Sequence, residues 1–378
     1  MKVLIVQGSG EESGGGVETF VRTLSRSIRM KDVSFTILFP VNDFTFKKTD
    51  HSIDRVKYLP VYIPLSDHIG LLKALRLFLF NIKILLSRAI YSEQFDIVHI
   101  NGLAGCFLPL RFRHNSLFTA HGSSINSFLD QKQTFTVKEL FFQFINSIFS
   151  YSLEFIAVKF SKLSVSVSSS VAREFSRVTK KKVEVIPNGI ELEDKAKADK
   201  ASIEKKYNLN EKSFICLWVG RNPKRKGLDV AIRSVSDIKG AYLLIVGIDK
   251  NIFIEKNENV IFCGIVDRDE LLKLYASSDL LIFPSVYEAM SYTVIEALSI
   301  GLPVLAYRKR FMTDILGQEY PLLCDNELEF KKEVENMMTW KKEDINGLKE
   351  KCQKIAEGFN ADKMAAEYLK IYEAMANE

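Results

Sequence analysis

The sequence predicts an α/β protein made of two doubly wound halves, each a mostly parallel sheet wrapped by helices, with a cleft between them. Three observations carry that prediction. Short β-branched or apolar runs alternate with helical patterns almost throughout, which is how such sheets are written in sequence. The chain has 378 residues, room for two cores at about 100–200 residues each. Near the middle, residues 188–210 become rich in Glu, Asp and Lys and poor in apolar side chains, which reads as a linker and a short solvated helix. We expect domains over 1–188 and 189–359, with a last helix over 360–378 open to either. The carboxyl ends of both sheets would face the cleft, where doubly wound sheets bind ligands.

The strands follow in order. In the first half they are KVLIVQG (2–8), SFTILFP (34–40), VKYLPVYI (56–63), FDIVHI (95–100), LFTAHG (117–122), KLSVSVS (162–168) and KVEVIP (182–187). In the second they are FICLWVG (214–220), AYLLIVG (241–247), NVIFCG (259–264), LLIFPS (280–285) and PVLAYR (303–308). After the first strand, Val17, Phe20, Val21, Leu24 and Ile28 put five apolar side chains on one helical stripe.

Composition narrows the classes. Hydrophobic residues make up 47% and charged residues 26%, an ordinary globular balance that excludes disorder and fibrous repeats. Five scattered cysteines, Cys106, Cys216, Cys263, Cys324 and Cys352, form no C-x2-C pair, so we expect reduced structural thiols. The opening MKVLIV lacks the apolar stretch of a secretory signal, and we expect a cytoplasmic protein. The net charge of +5 is unevenly spread: residues 1–186 carry +9 and the remainder −4. A basic first half suits an anionic surface such as phospholipid. No nucleic-acid module accompanies it, and no nucleic-acid partner is expected.

Two apolar segments stand out. Residues 69–90 hold Lys73, Arg76, Lys83 and Arg88 and no acid. As one helix they would place all four cations within an arc of roughly 140°. That pattern reads either as a membrane-surface helix, peripheral on the inner face of the cell membrane, or as a core helix whose cations face water. Residues 134–160, which include Lys138, Glu139, Glu154 and Lys159, read as a core helix.

The residues fit for chemistry gather at strand ends. QGSGEESGGGVE follows the first strand, and Gly14, Gly15, Gly16 and Glu18 suggest a loop that closes over a phosphate or an acceptor. A dinucleotide fingerprint would need Gly where Ser13 stands, so nicotinamide or flavin is not expected. Between 280 and 306, Glu288 follows a strand and Glu296 lies in the next helix. The N-terminus of that helix, at Ser291, Tyr292 and Thr293, offers free N–H groups to a diphosphate. Arg221 and Lys226, at the end of another strand, suit the charge of a departing diphosphate, while Lys224 and Arg225 read as surface. His121 ends LFTAHG and points toward the cleft; His99 reads as packed or surface. No metal site is expected, and G-x-S-x-G is absent.

With these residues in view, the chain resembles the retaining nucleotide-sugar glycosyltransferases of family four, which have the GT-B architecture of two facing Rossmann-like domains. The shared segments run in the family's order: GGGVE at 14–18, TAHG at 119–122, SSSV at 168–171, IPNGI at 186–190, VGRNPKRKG at 219–227, FCGIV at 262–266, and Glu288 to Glu296 with P-S and G-x-P flanks. The resemblance implies that Arg221 and Lys226 bind the donor diphosphate, Glu296 the ribose and Glu288 the hydroxyls of the transferred sugar. It implies that His121 meets that sugar near its O6, that backbone around Gly264 and Val266 holds the base, and that residues 360–378 join the first domain. Where many relatives carry Gly-Phe-Gly after the first Glu, this chain has Ala289, Met290 and Ser291.

The function expected is transfer of a sugar, with retention and without a metal or other cofactor, from a nucleotide sugar to a lipid-linked or glycan acceptor in cell-envelope assembly. The base stays open among uridine, guanosine and adenosine, with a UDP-sugar placed ahead of a GDP-sugar. Two alternatives are an enzyme acting on a small soluble acceptor and a silent nucleotide-sugar or glycan-binding partner.

Overall fold

The computed structural model describes residues 1–9, 15–28, 32–42, 51–53, 56–65, 70–191, 199–248 and 257–378. They fall into two compact units, Met1–Glu191 with Asn360–Glu378, and Leu192–Phe359.

The first unit holds strands β1 (Lys2–Val6), β2 (Ser34–Val41), β3 (His51–Ile53), β4 (Val56–Tyr62), β5 (Ile97–Asn101), β6 (Ser116–Ala120), β7 (Leu163–Ser166) and β8 (Glu184–Val185). They form one sheet in the order β3-β4-β2-β1-β5-β6-β7-β8, parallel except for β3, which runs antiparallel to β4. The chain winds outward from β1 to β3 and β4, then returns to the other side of β1 at β5, so the winding reverses between β1 and β5. Its helices are α1 (Gly16–Ile28), α2 (Gly70–Leu85), α3 (Arg88–Ser92), α4 (Ser124–Gln131), α5 (Val137–Phe160) and α6 (Ser169–Thr179).

The second unit has strands β9 (Phe214–Val219), β10 (Ala241–Val246), β11 (Val260–Gly264), β12 (Leu280–Phe283), β13 (Val304–Tyr307) and β14 (Leu323–Cys324), all parallel in the order β11-β10-β9-β12-β13-β14. Around them lie α7 (Lys200–Lys206), α8 (Pro223–Lys226), α9 (Leu228–Val235), α10 (Arg268–Ser277), α11 (Tyr292–Ile300), α12 (Arg310–Leu316), α13 (Glu327–Met338) and α14 (Lys342–Ala356). Here the winding reverses between β9 and β12. In such sheets the crevice at the reversal, beyond the carboxyl ends of the strands, is where ligands bind.

Helix α15 (Ala361–Asn377) belongs to the first unit. With α1 it covers the sheet face carrying Val3, Ile5, Ile97, Leu117 and Val165, and it buries Tyr368 and Tyr372 completely. Gly189 makes this close approach feasible: a Cβ there would lie 2.6 Å from the Cα of Ala361, closer than any side chain tolerates. The amide of Ala361 donates to the carbonyl of Ile190 at 2.9 Å.

Two expectations about helices need correction. The segment over 69–90 is not one helix. Ser87 takes extended angles, φ −72° and ψ 111°, as serine readily does at a helix entrance, so Arg88 opens α3 and leaves the line of α2. Arg76 is no surface cation either: it is 8% exposed, and Nη2 donates to the carbonyl of Pro40 in β2 at 3.2 Å. Lys83 is exposed and donates to the carbonyl of Tyr62 at 2.8 Å; the Lys73 side chain lies outside the described residues. Helix α5, in turn, is only partly a core helix. Leu153, Glu154, Ala157 and Val158 are buried near its end, but its first three turns expose Phe141, Phe142, Phe144 and Ile145 at 63, 59, 45 and 47%. The second half packs into the unit, while the first half meets it through α4, where the Phe144 ring lies 5.6 Å from that of Phe128.

Candidate functional site

Strands β9 and β12 are neighbours, so the segments leaving their carboxyl ends meet. After β9, Asn222 caps α8 by accepting from the amide of Arg225 at 3.1 Å. Gly227 then turns the chain with φ +65°, and a Cβ there would stand 2.2 Å from the carbonyl oxygen of Pro284. A residue without a side chain is therefore required where these two segments touch. Their closeness brings Lys226 Nζ to 2.9 Å from Glu288 Oε1 and Arg225 Nη1 to 2.9 Å from the same oxygen. Arg225 also donates to the carbonyl of Tyr287 at 3.0 Å. Reading Arg225 as a solvated surface charge is thus overturned, because its guanidinium closes onto the next segment; Asn222 in front of it was the available signal. Lys226 also sits over the Phe283 ring, 4.6 Å from its centroid, which favours the cation.

Glu288 is nearly enclosed, its side chain 11% exposed. Burial alone would raise its pKa, but the ammonium of Lys226 and the guanidinium of Arg225 hold it below the ordinary carboxylate value. The group is therefore an anion at neutral pH, able to accept hydrogen bonds from hydroxyls and unable to donate a proton. Arg221 is exposed at the end of β9, beside this cluster in the chain.

Helix α11 starts close by. Its first residue is Tyr292, and Ser291 in front of it makes no side-chain capping bond. The hydroxyl of Ser291 is buried without a partner. Uncapped first-turn amides, together with the positive end of the helix dipole, make an anion site. Ala289 and Met290 are 8 and 9% exposed, packed inward. Thr293 is half-buried in the first turn. Glu296 lies one turn further along and is held by Arg268 of α10, with Nη1 to Oε1 at 2.7 Å, while Tyr275 donates to Oε2 at 3.3 Å. The sequence reading did not single out Arg268. Gly264 ends β11 with φ +76° and accepts from the amide of Gly247 at 2.9 Å. Beyond it Val266 is half-buried and Ile265 is 84% exposed.

Asp267, Arg268 and Asp269 make a D-x-D triplet at the start of α10. Asp267 caps α10, accepting from the amide of Glu270 at 2.8 Å, so that carboxylate serves the helix. Among the described residues no cluster of three or more His, Cys, Asp or Glu could hold a metal ion.

In the first unit, β1, β5 and β6 end side by side. His121 Nε2 meets Asn101 Oδ1 at 2.5 Å, and its ring lies 4.8 Å from that of Phe20, edge to face. Burial lowers its pKa to about 3, leaving a neutral imidazole. His99 is packed rather than at the surface, with Nδ1 2.7 Å from the Tyr372 hydroxyl and Nε2 2.7 Å from Thr119 Oγ1. Gly15 leads into α1, which Gly16 opens, and Glu18 turns back to accept from the hydroxyl of Ser9. Glu18 is 7% exposed, so its carboxylate closes the local turn instead of reaching outward. Gly14 lies outside the described residues.

Comparison with known proteins gives the family. Residues 14–194 match the model for "Glycosyltransferase Family 4", and residues 199–358 match that for "Glycosyl transferases group 1". The chain belongs to the family-four type of GT-B glycosyltransferases. Among curated proteins it is 29% identical over 205 residues to an uncharacterized 41.2 kDa protein in the cps region of Klebsiella pneumoniae, covering 52% of this chain and 56% of that one. It is 22% identical over 306 residues to the O-antigen biosynthesis glycosyltransferase WclY of Escherichia coli, covering 76% of this chain and 82% of that protein. The chain spans about half the length of the curated relatives it first matches. Among solved structures, the sucrose-phosphate synthase of Thermosynechococcus elongatus superposes with a TM-score of 0.78 at 18% identity, over 99% of this chain and 98% of that one. Anabaena HepE in complex with UDP-glucose does so at 0.71 and 15% identity, over 98% and 99%. At these identities the likeness concerns the fold: two Rossmann-like domains.

Proposed function

We propose that the protein moves a sugar from a nucleoside-diphosphate donor to a hydroxyl of a lipid-linked or glycan acceptor, retaining configuration and using no metal. The pathway class is cell-envelope polysaccharide or glycoconjugate assembly. The observation that carries the reading is Glu288, held as an anion by Lys226 and Arg225 at the winding reversal of the second unit, beside the uncapped start of α11. In this reading Arg221 and Lys226 take the diphosphate, whose departure leaves negative charge that fixed cations stabilise. The first-turn amides at Ser291, Tyr292 and Thr293 take the same oxygens. Glu288 accepts hydrogen bonds from the sugar hydroxyls and orients the ring, while Glu296 accepts from the ribose. Main chain at Gly264 and Val266 takes the base, and the exposed Ile265 packs on its face. The first unit takes the acceptor, with His121 a neutral imidazole at the end of its sheet.

For retention, the acceptor hydroxyl attacks from the face the diphosphate leaves, and a departing phosphate oxygen takes its proton. Glu288 does not act as an acid. The WclY likeness supports the polysaccharide-assembly part of this reading, and a UDP-sugar is placed ahead of a GDP-sugar as donor. We place the protein at the cytoplasmic side of the membrane, as a peripheral protein.

The test is a panel of UDP-, GDP- and ADP-sugars in excess EDTA, followed by thermal shift and by slow donor hydrolysis, on wild type and Glu288→Ala. One donor should stabilise both proteins, and its hydrolysis should fall by about 10²–10³ in the variant. Equal hydrolysis in the two proteins would remove Glu288 from the reaction, and activity that needs added magnesium would remove the metal-free mechanism.

A further inference from the structure

We infer that the apolar face shared by α2 and the first half of α5 is a docking surface for a lipid bilayer with anionic head groups. This deepens the peripheral-membrane part of the reading above by naming the face that makes contact.

The patch draws on both helices. On α5, Phe141, Phe142, Phe144, Ile145 and Ile148 are 45–63% exposed, and on α2, Leu75, Phe78 and Leu79 are 36–45% exposed. The two helices are joined by rings: Phe78 lies 6.1 Å from Phe149 of α5 and 6.0 Å from Phe107, centroid to centroid. Monomeric soluble proteins seldom leave so many neighbouring large apolar side chains in water. The helix carrying them is held in shape, since Thr136 and Glu139 form a reciprocal capping box at its start, which also occupies the only carboxylate between residues 137 and 153.

Length and composition would let α5 cross a membrane, and only 28% of its apolar window is buried in the unit, but its second half packs Leu153, Ala157 and Val158 into the unit. Tied down at one end and apolar at the other, it suits shallow embedding at the level of the head groups rather than a span.

Charge selects the occupant. Helix α2 holds no acid, and Lys83, Lys132 and Lys138, all exposed, lie within a few residues of the apolar side chains. In a symmetric pairing of two copies this basic rim would meet its own like. An anionic bilayer satisfies both parts at once, with rings among the acyl chains and ammonium groups at the phosphates.

The test uses the full chain in vesicle sedimentation, with phosphatidylcholine alone or mixed with phosphatidylglycerol. Wild type should sediment with the mixed vesicles, and Phe141→Ser with Phe142→Ser should weaken binding by about tenfold or more. Lys132→Gln with Lys138→Gln should lose the preference for phosphatidylglycerol and its sensitivity to salt. A Phe142→Trp variant, made as a reporter, should shift its emission to the blue on mixed vesicles. Donor hydrolysis followed in the same variants should not change, so loss of vesicle binding is read separately from loss of chemistry. No sedimentation of wild type, or a serine pair that instead turns a dimer into a monomer, would overturn the inference.

Discussion

Glu288 shows how much a residue's chemistry depends on its neighbours. Its position past a strand was legible from the spacing to Glu296, and so was Lys226. The part of Arg225 was not, because a run of three basic residues looks like a solvated face until the β12 segment is brought against it. The same holds for Arg76, whose place on an apolar helix reads as surface until the carbonyl of Pro40 is seen beneath it. Buried imidazoles give a test at this scale. His99 and His121 both have pKa values lowered to about 3, by burial and, for His99, by the neighbouring His121. They are neutral in the fold and take protons in the unfolded chain near 6.5. Their contribution is therefore whole above about 6.5 and lost as pH falls toward about 3. Glu154 acts the other way. Burial, against hydrogen bonds from Ser124, raises it from 4.5 to about 8, so its contribution is whole below about 4.5 and lost as pH rises through about 8. Thermal midpoints across pH should fall on both sides of a maximum. His99→Gln should flatten the acid limb and Glu154→Gln the alkaline one. A wild-type midpoint that does not move with pH would contradict both assignments.

Among elements, the strands came through the sequence well because parallel strands buried on both faces are near-continuous apolar runs. The shorter edge pieces did not: β3 and β14 have three and two residues, too few for a period to show. Helix α5 was misread because an apolar helix is equally apolar whether it faces a core or not. Periodicity shows the stripe, and only the packing shows what covers it. Its capping box offers a prediction. Thr136 accepts from the amide of Glu139, and Glu139 accepts in return from the amide of Thr136. Removing the hydroxyl in Thr136→Ala should cost about 1 kcal/mol locally. Hydrogen exchange should then quicken over 137–145 and stay unchanged over 153–158, where the helix is packed. Uniform quickening along the helix would mean that the cap supports the whole element, contrary to this account.

At the scale of the molecule, both sheets reverse their winding once, and the residues with chemical potential gather where they do: His121 and the β1 turn in one unit, Glu288 with its two cations in the other. Helix α15 completes the first unit from the far end of the chain, with Tyr368 and Tyr372 in its core. That contact links residues more than 200 positions apart, which no local pattern encodes. On the proposed function, the carboxyl edge of the second sheet recognises a nucleoside diphosphate. Calorimetric titration of the full chain with UDP and UMP, in EDTA, tests it most directly on wild type and Arg221→Ala. Wild type should bind UDP at least about tenfold more tightly than UMP, and the variant should lose most of that difference while keeping its affinity for UMP. Equal affinity for UDP and UMP in wild type would contradict it.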